Sequence, residues 1–366
     1  MANYPLTEMA LKMFCPGNEA KVDDAGLPSL MVWIPKFKNS DVLAGGDDST
    51  HPAFIVNGRE IDGFWYSKFQ NVAHNGKAYS MPAEDPKTGL TFDHAISICE
   101  DKGHGWHMST AAEWAAIALW SKANGTLPYG NNNRGKDNRE TSYIAIPTTY
   151  ESDGTTARVA TGTGPCTWSH DHTASGIWDL NGNAWERQGG LRIVWGEIQI
   201  LANNNAADAD NPQNETSTCW RAINATNGEL VDPESKTTDE AGKAAGLTVK
   251  IDHINNTWTY STGITNSIDS ADISTPFASM KCAETIGEEA KMLLRSLAML
   301  PDEGADASDY ESDSMYLANG RSECLLYRGG SYIHGGTSGM FSASCVSNRA
   351  NAGASTGFRA AYIPEI

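Results

Sequence analysis

Residues 106–118 read WHMSTAAEWAAIA, and the reading of this stretch decides the fold. Thr110 and Glu113 stand three apart at the head of an apolar run. That is the spacing of a capping box, in which each side chain bonds the other residue's backbone N–H. The longer run STAAEWAAIALWSKANG (109–125) is rich in Ala and stops at Gly125. It predicts a helix with Trp114, Ile117, Ala118 and Ser121 on its inner face. TFDHAISICEDKG (91–103) predicts a second helix that ends at Gly103, and IGEEAKMLLRSLAML (286–300) a third.

Most of the remaining chain speaks for strands and loops. SLMVWIPKF (29–37) is a compact apolar strand. FIVNGREIDGFWYSKF (54–69) predicts a hairpin, because Asn57-Gly58 suits the positive φ angles of a tight turn. LTVKIDH (247–253) and TWTYST (257–262) predict two more strands, and 176–201 predicts strands joined by Asn-Gly turns. Residues 125–175 are rich in Gly, Asn, Thr and Pro and predict long loops with short strands. Residues 1–25 read as a leader outside the folded domain, which then runs 26–366. Few helices, many short strands and long loops define an α+β class.

Composition narrows the functional classes. The chain has 366 residues, 40% hydrophobic and 20% charged, with 11 Trp for a packed core and 35 Gly for loops. Its net charge of −18 and lack of a basic stripe disfavour nucleic acid and anionic membranes as partners. No apolar run reaches membrane-spanning length, so membrane insertion is not expected. Seven widely spaced Cys with no CxxC pair argue against structural zinc and a disulfide framework, and for free thiols. The start, MANYPLTEMALKMF, carries no signal-peptide pattern. Cytoplasmic synthesis follows as the expectation, with carriage on a virion compatible with it.

The C-terminal stretch RGGSYIHGGTSGMFSASCVSNRANAGASTGFRAAY (328–362) has firm ends and a small, polar, patternless filling. Four landmarks lead to it in order: WHMSTAAEWAAIA (106–118), GIWDLNGNAWE (176–186), YRGGSY (327–332) and GFRAA (357–361). This succession resembles the formylglycine-generating-enzyme, or sulfatase-modifying-factor, branch of the C-type lectin fold. The family's "RLPTEAEWE" is here the divergent HMSTAAEWA. The resemblance covers most of the chain outside 202–323, which reads as an insertion.

Within that superfamily, the end of the chain resembles the variable region (about 328–359) of a diversity-generating retroelement protein, of the kind phages encode. There, a reverse transcriptase copies a template repeat, corrupts its adenines and replaces the 3′ end of the gene. The resemblance implies a framework of Arg328, Gly329, Gly330, Phe341, Arg349, Gly357, Phe358 and Arg359. It also implies displayed, variable positions at Tyr332, Ile333, His334, Thr337, Ser342, Ser344, Val346, Ser347, Asn351, Gly353 and Ser355. Asn codons altered at their adenines cannot yield Lys, Glu, Gln, Trp or Met. Residues 331–356 hold no Lys, Glu, Gln or Trp, and their one Met, Met340, sits beside Phe341 in the frame. A plain Gly/Ser-rich loop would look the same on composition alone.

What the resemblance implies is a non-enzymatic protein that binds a protein or glycan receptor through this face, with no required cofactor. Tyr332, Ile333 and His334 are the expected affinity anchors, being rigid and large. The rival readings are a sulfatase-modifying-factor-like enzyme and a lectin of fixed specificity. The enzymes use two cysteines after GGSY, where this chain has His334 and Gly339. The NGNAWE region also resembles a structural calcium loop, which would use Asp179 and Glu186 with the Gly182 and Ala184 carbonyls. Two close histidine pairs, His104/His107 and His170/His172, read as loop and surface residues.

Overall fold

A computed structural model describes residues 4–142, 144–239 and 246–366 of the chain. The architecture is mixed α+β, sheet-rich, with five short helices among the described residues. These are α1 (Tyr4–Phe14), α2 (Asn39–Val42), α3 (Phe92–Glu100), α4 (Ala111–Ala123) and α5 (Glu288–Ser296).

The capping box forms as its spacing dictates. Glu113 N donates to Thr110 Oγ1 and Thr110 N to Glu113 Oε2, both at 3.1 Å. The helix differs from expectation in its burial: every residue from Ala111 to Leu119 is buried, so there is no single inner face. Its alanines explain this, since small side chains let other elements approach from all sides. α4 touches the strand Trp185–Val194, α2, the turn at 52–54 and α5.

Two sheets carry the fold. The smaller runs in the order Asn18–Val22, Pro28–Pro35, Gly63–Ser67, Ala360–Tyr362, Trp106–Met108. The last strand of the chain thus lies between two of the earliest. The first strand corrects the view of residues 1–25 as a leader, for Asn18–Val22 pairs antiparallel with Pro28–Val32.

The larger sheet has twelve strands. Its central strand, Trp185–Val194, is buried at every position and pairs with Glu197–Ile200, Cys324–Arg328 and, in parallel, Thr356–Phe358. Burial on both faces explains its lack of alternation. The turn after it is Trp195-Gly196, with φ of 46° and 83°, rather than an Asn-Gly pair. Lys250–Ile254 and Thr257–Ser261 form as expected, and both join this same sheet. Residues 202–323 therefore extend the body's main sheet rather than resting on it. Asn57 (φ 49°) and Gly58 (φ 74°) make the expected tight hairpin between Ile55–Val56 and Arg59–Glu60. Among the described residues, 125–175 contain isolated bridges and one 3-10 turn but no named strand.

All seven cysteines are free. Among the described residues, no helix is long and apolar enough to cross a membrane.

Candidate functional site

The site is the loop between two buried arginines. Arg328 ends the strand Cys324–Arg328 and is fully buried. Its Nη2 donates to Leu297 O (2.9 Å) and Ala298 O (3.0 Å), the carbonyls at the C-terminal end of α5. A helix C-terminus carries partial negative charge, which offsets part of the cost of burying a cation there. Burial still pushes this guanidinium down to about 10.

Arg359 is the second anchor, also fully buried. Its Nε and Nη2 grip Glu186 Oε2 and Oε1 at 2.7 and 3.0 Å, and Nη1 donates to Ser67 O at 3.1 Å. Arg349 is the third. It makes a two-pronged pair with Glu323 (3.1 and 2.9 Å) and reaches Gln213 O at 2.9 Å.

Glycine and phenylalanine complete the frame. Gly329 and Gly330 hold φ of 89° and 80°. A Cβ on Gly330 would stand 1.7 Å from Ser338 Oγ, so no other residue fits. Phe341 is fully buried against Phe277 and Tyr310, at 5.0 and 4.8 Å between ring centroids. Met340 O accepts from the Trp114 indole at 2.8 Å, which ties the loop to α4. Asp313, buried, accepts from Phe341 N at 2.7 Å, and its burial raises its carboxyl well above the usual range. Phe358 and Gly357 are buried in the parallel strand beside Trp185–Arg187.

The filling divides into two groups. Ile333 is 55% exposed and Asn351 is exposed, while Tyr332, His334, Thr337, Ser347, Gly353 and Ser355 are half-buried at the surface. The remaining three named positions lie inward on or beside the strand Ala343–Ser347. Ser342 needs correcting as a displayed residue: it is fully buried, its hydroxyl donates to Thr337 O, and it accepts from Ser314 N. Ser344 and Val346 are buried in that strand, which is flanked on both sides by Cys324–Arg328 and Ser314–Leu317.

Neighbours the sequence did not point to surround the loop. Tyr332 OH donates to Glu151 Oε1 at 2.6 Å, and Tyr332 O accepts from Arg134 N at 2.8 Å. The His334 ring lies edge-on to Trp185 (5.1 Å) and Tyr316 (5.8 Å). Tyr316 OH and Thr337 Oγ1 are 3.0 Å apart. Glu151 and Tyr316 come from segments with no pattern of their own, so no local signal marked them.

The groups that the rival readings would use are buried or engaged with other residues. Cys345 is fully buried, its thiol pushed well up by burial, with Sγ 3.2 Å from Cys324 O. Nor does the 179–186 segment fit calcium. Both Glu186 oxygens are taken by Arg359, and Oε1 also accepts from Gln70 Nε2 at 3.0 Å. Ala184 O accepts from the same Gln70 amide at 2.9 Å. Among the described residues, no group of three metal-ligating side chains converges anywhere. His107 is buried on Glu113 (2.8 Å), and His170 and His172 point to different partners.

No family profile matches the chain, and no curated protein matches it. Among solved structures it is similar to PvdO from Pseudomonas aeruginosa, at TM-score 0.30 and 13% identity over 92% of this chain and 94% of that one. It is also similar to the P3c variant of the Major Tropism Determinant, at TM-score 0.28 and 10% identity over 93% of this chain and 70% of that one. The U1 variant gives TM-score 0.29 and 10% identity, over 94% and 71%. TM-scores this low do not by themselves establish a shared fold.

Proposed function

We propose that this chain is a ligand-binding protein of the diversity-generating-retroelement kind that reads a protein or glycan receptor through the C-terminal region of about 328–359. The observation that carries the reading is the division of labour within the C-terminal stretch. Arg328, Arg359, Gly330 and Phe341 spend their bonding and packing inside the fold. The ends and base of the loop are thereby fixed without the side chain of Ile333, which is exposed. A surface that must tolerate variation needs this independence.

The test is to sequence the DNA that flanks the gene. A near-copy of the segment coding for 328–359, differing where it carries adenine and lying beside a reverse-transcriptase gene, is the expected result. If neither is present, the loop is fixed and the reading fails.

A further inference from the structure

A second candidate site lies away from the variable loop and is independent of the reading above. A cleft of about 200 Å³ opens between the strand Pro28–Pro35, the outer half of α4 and the loop that holds His170. Trp33, Phe37 and Trp120 give it aromatic walls, and Ile34 and Ile117 close it. A cavity of about 150 Å³ already holds benzene, so this one has room for a single substituted ring.

One polar residue in the wall is unusually well fixed. His170 N donates to Ile177 O at 2.9 Å, and His170 O accepts from Ser121 Oγ (2.9 Å) and Thr126 Oγ1 (2.7 Å). The ring stands 5.3 Å from Trp120. Ile177 N donates to Nδ1 at 2.9 Å, so Nδ1 is an acceptor and the ring hydrogen sits on Nε2. Burial holds the ring neutral, with its pKa lowered to about 4. Among the described residues, Nε2 has no partner. Four backbone and ring bonds keep the ring in place.

The lining also selects for charge. No Lys or Arg lines the cleft, and its one ionic group is Asp171. Asp171 accepts from Ser169 Oγ, Thr173 N and Thr173 Oγ1 in its own loop, at 3.1, 2.9 and 2.9 Å. Its carboxylate repels an anion entering beside it. The chain's net charge of −18 acts in the same sense. We propose that this cleft binds a small neutral aromatic molecule with one hydrogen-bond acceptor, such as an aryl ketone, the acceptor taking the Nε2–H of His170.

Acetophenone and ethylbenzene share a shape and differ in the acceptor. Each is titrated into the full chain, labelled with ¹⁵N at Trp and His, and followed by the Trp33 and Trp120 indole N–H signals. Saturable shifts are expected with both. The His170 Nε2–H proton moves downfield with acetophenone and stays with ethylbenzene, a readout that needs no variant. His170→Phe weakens acetophenone about fivefold, the worth of a neutral hydrogen bond, and changes ethylbenzene less than about twofold. Ile117→Trp fills the cleft and abolishes both. Absence of saturable indole shifts up to the solubility limit overturns the proposal, as does an Nε2–H signal that acetophenone leaves unmoved.

Discussion

Arg359 and Glu186 form a fully enclosed, two-pronged ion pair, Nε to Oε2 2.7 Å and Nη2 to Oε1 3.0 Å. The pair joins the end of the variable stretch to the central strand of the large sheet. Removing one partner strands the other charge without water. Arg359→Met is expected to cost about 3–5 kcal/mol, and Glu186→Leu combined with it to recover most of that loss. Urea denaturation of the two variants and the double variant measures it. Full additivity of the two losses would mean the groups do not act as a pair.

The same pair sets an expectation for calcium. With Arg359 on both Glu186 oxygens, millimolar calcium should leave the thermal midpoint unchanged and show no heat in a titration of chelator-treated protein. A midpoint raised by calcium would show that Arg359 swings away to free the carboxylate.

Two buried neutral histidines predict acid sensitivity. His51 and His170 are both pushed down to about 4 by burial, against 6.5 when unfolded. The stability held by the neutral rings is complete above pH 6.5 and is lost as pH falls to 4, by roughly 3 kcal/mol per ring at most. Asp179 acts oppositely. Burial raises it to about 6, so the fold gains from its protonation as pH falls from 6 towards 3.8. Asp313, also raised by burial, gains in the same sense, so the histidine losses are read by difference: His51→Phe should lessen the acid loss of urea midpoint between pH 6.5 and 4 relative to the parent. Asp179→Asn removes the gain and should raise stability at pH 7 while making the decline below pH 6 steeper. An unchanged pH profile in His51→Phe would contradict the assignment.

Two glycines of the loop should behave differently on mutation to Ala. Gly330→Ala meets both a left-handed φ of 80° and Ser338 Oγ at 1.7 Å, and should cost about 2 kcal/mol or more. Gly335→Ala meets a left-handed φ of 55° but open space, and should cost about 1 kcal/mol, the conformational part alone. Similar losses at both would mean that contact with Ser338 does not matter.

Tolerance along the loop should follow burial rather than sequence position. Random replacements at Ile333, Asn351 and Ser355 are expected to shift stability within about 0.5 kcal/mol. Ser342→Val should cost about 1–3 kcal/mol, because Ser314 N and Thr337 O both lose a buried partner. A pooled display selection for folding, read by sequencing, distinguishes the two sets. Free variation at Ser342 would show that the hydroxyl is dispensable.

Much of the local structure was legible in the sequence. The Thr110–Glu113 box, the Asn57-Gly58 turn and the stop at Gly125 are encoded within a few residues, because helix ends and tight turns are satisfied by near neighbours. The frame of the C-terminal stretch was also legible, since Gly-Gly at 329–330 and the paired Arg and Phe positions are conspicuous against small residues. The side chains that meet across the chain were not. Glu186 reads equally well as a calcium ligand until Arg359, 173 positions later, is seen on both its oxygens. Ser342 and Ile333 stand in one small-residue loop, and only the bonds of Ser342 to Ser314 N and Thr337 O mark it as the inward one.

Helices α3, α4 and α5 and the Asn57-Gly58 turn could be read from short stretches of sequence, since each rests on backbone preferences that act over a few residues. Tertiary structure alone shows which fillers reach the surface, that residues 202–323 extend the main sheet, and that His170 lines an aromatic cleft with its Nδ1 engaged by Ile177 N. Those depend on burial and on hydrogen-bond partners supplied by distant segments, and a buried group's chemistry is set by what surrounds it in space.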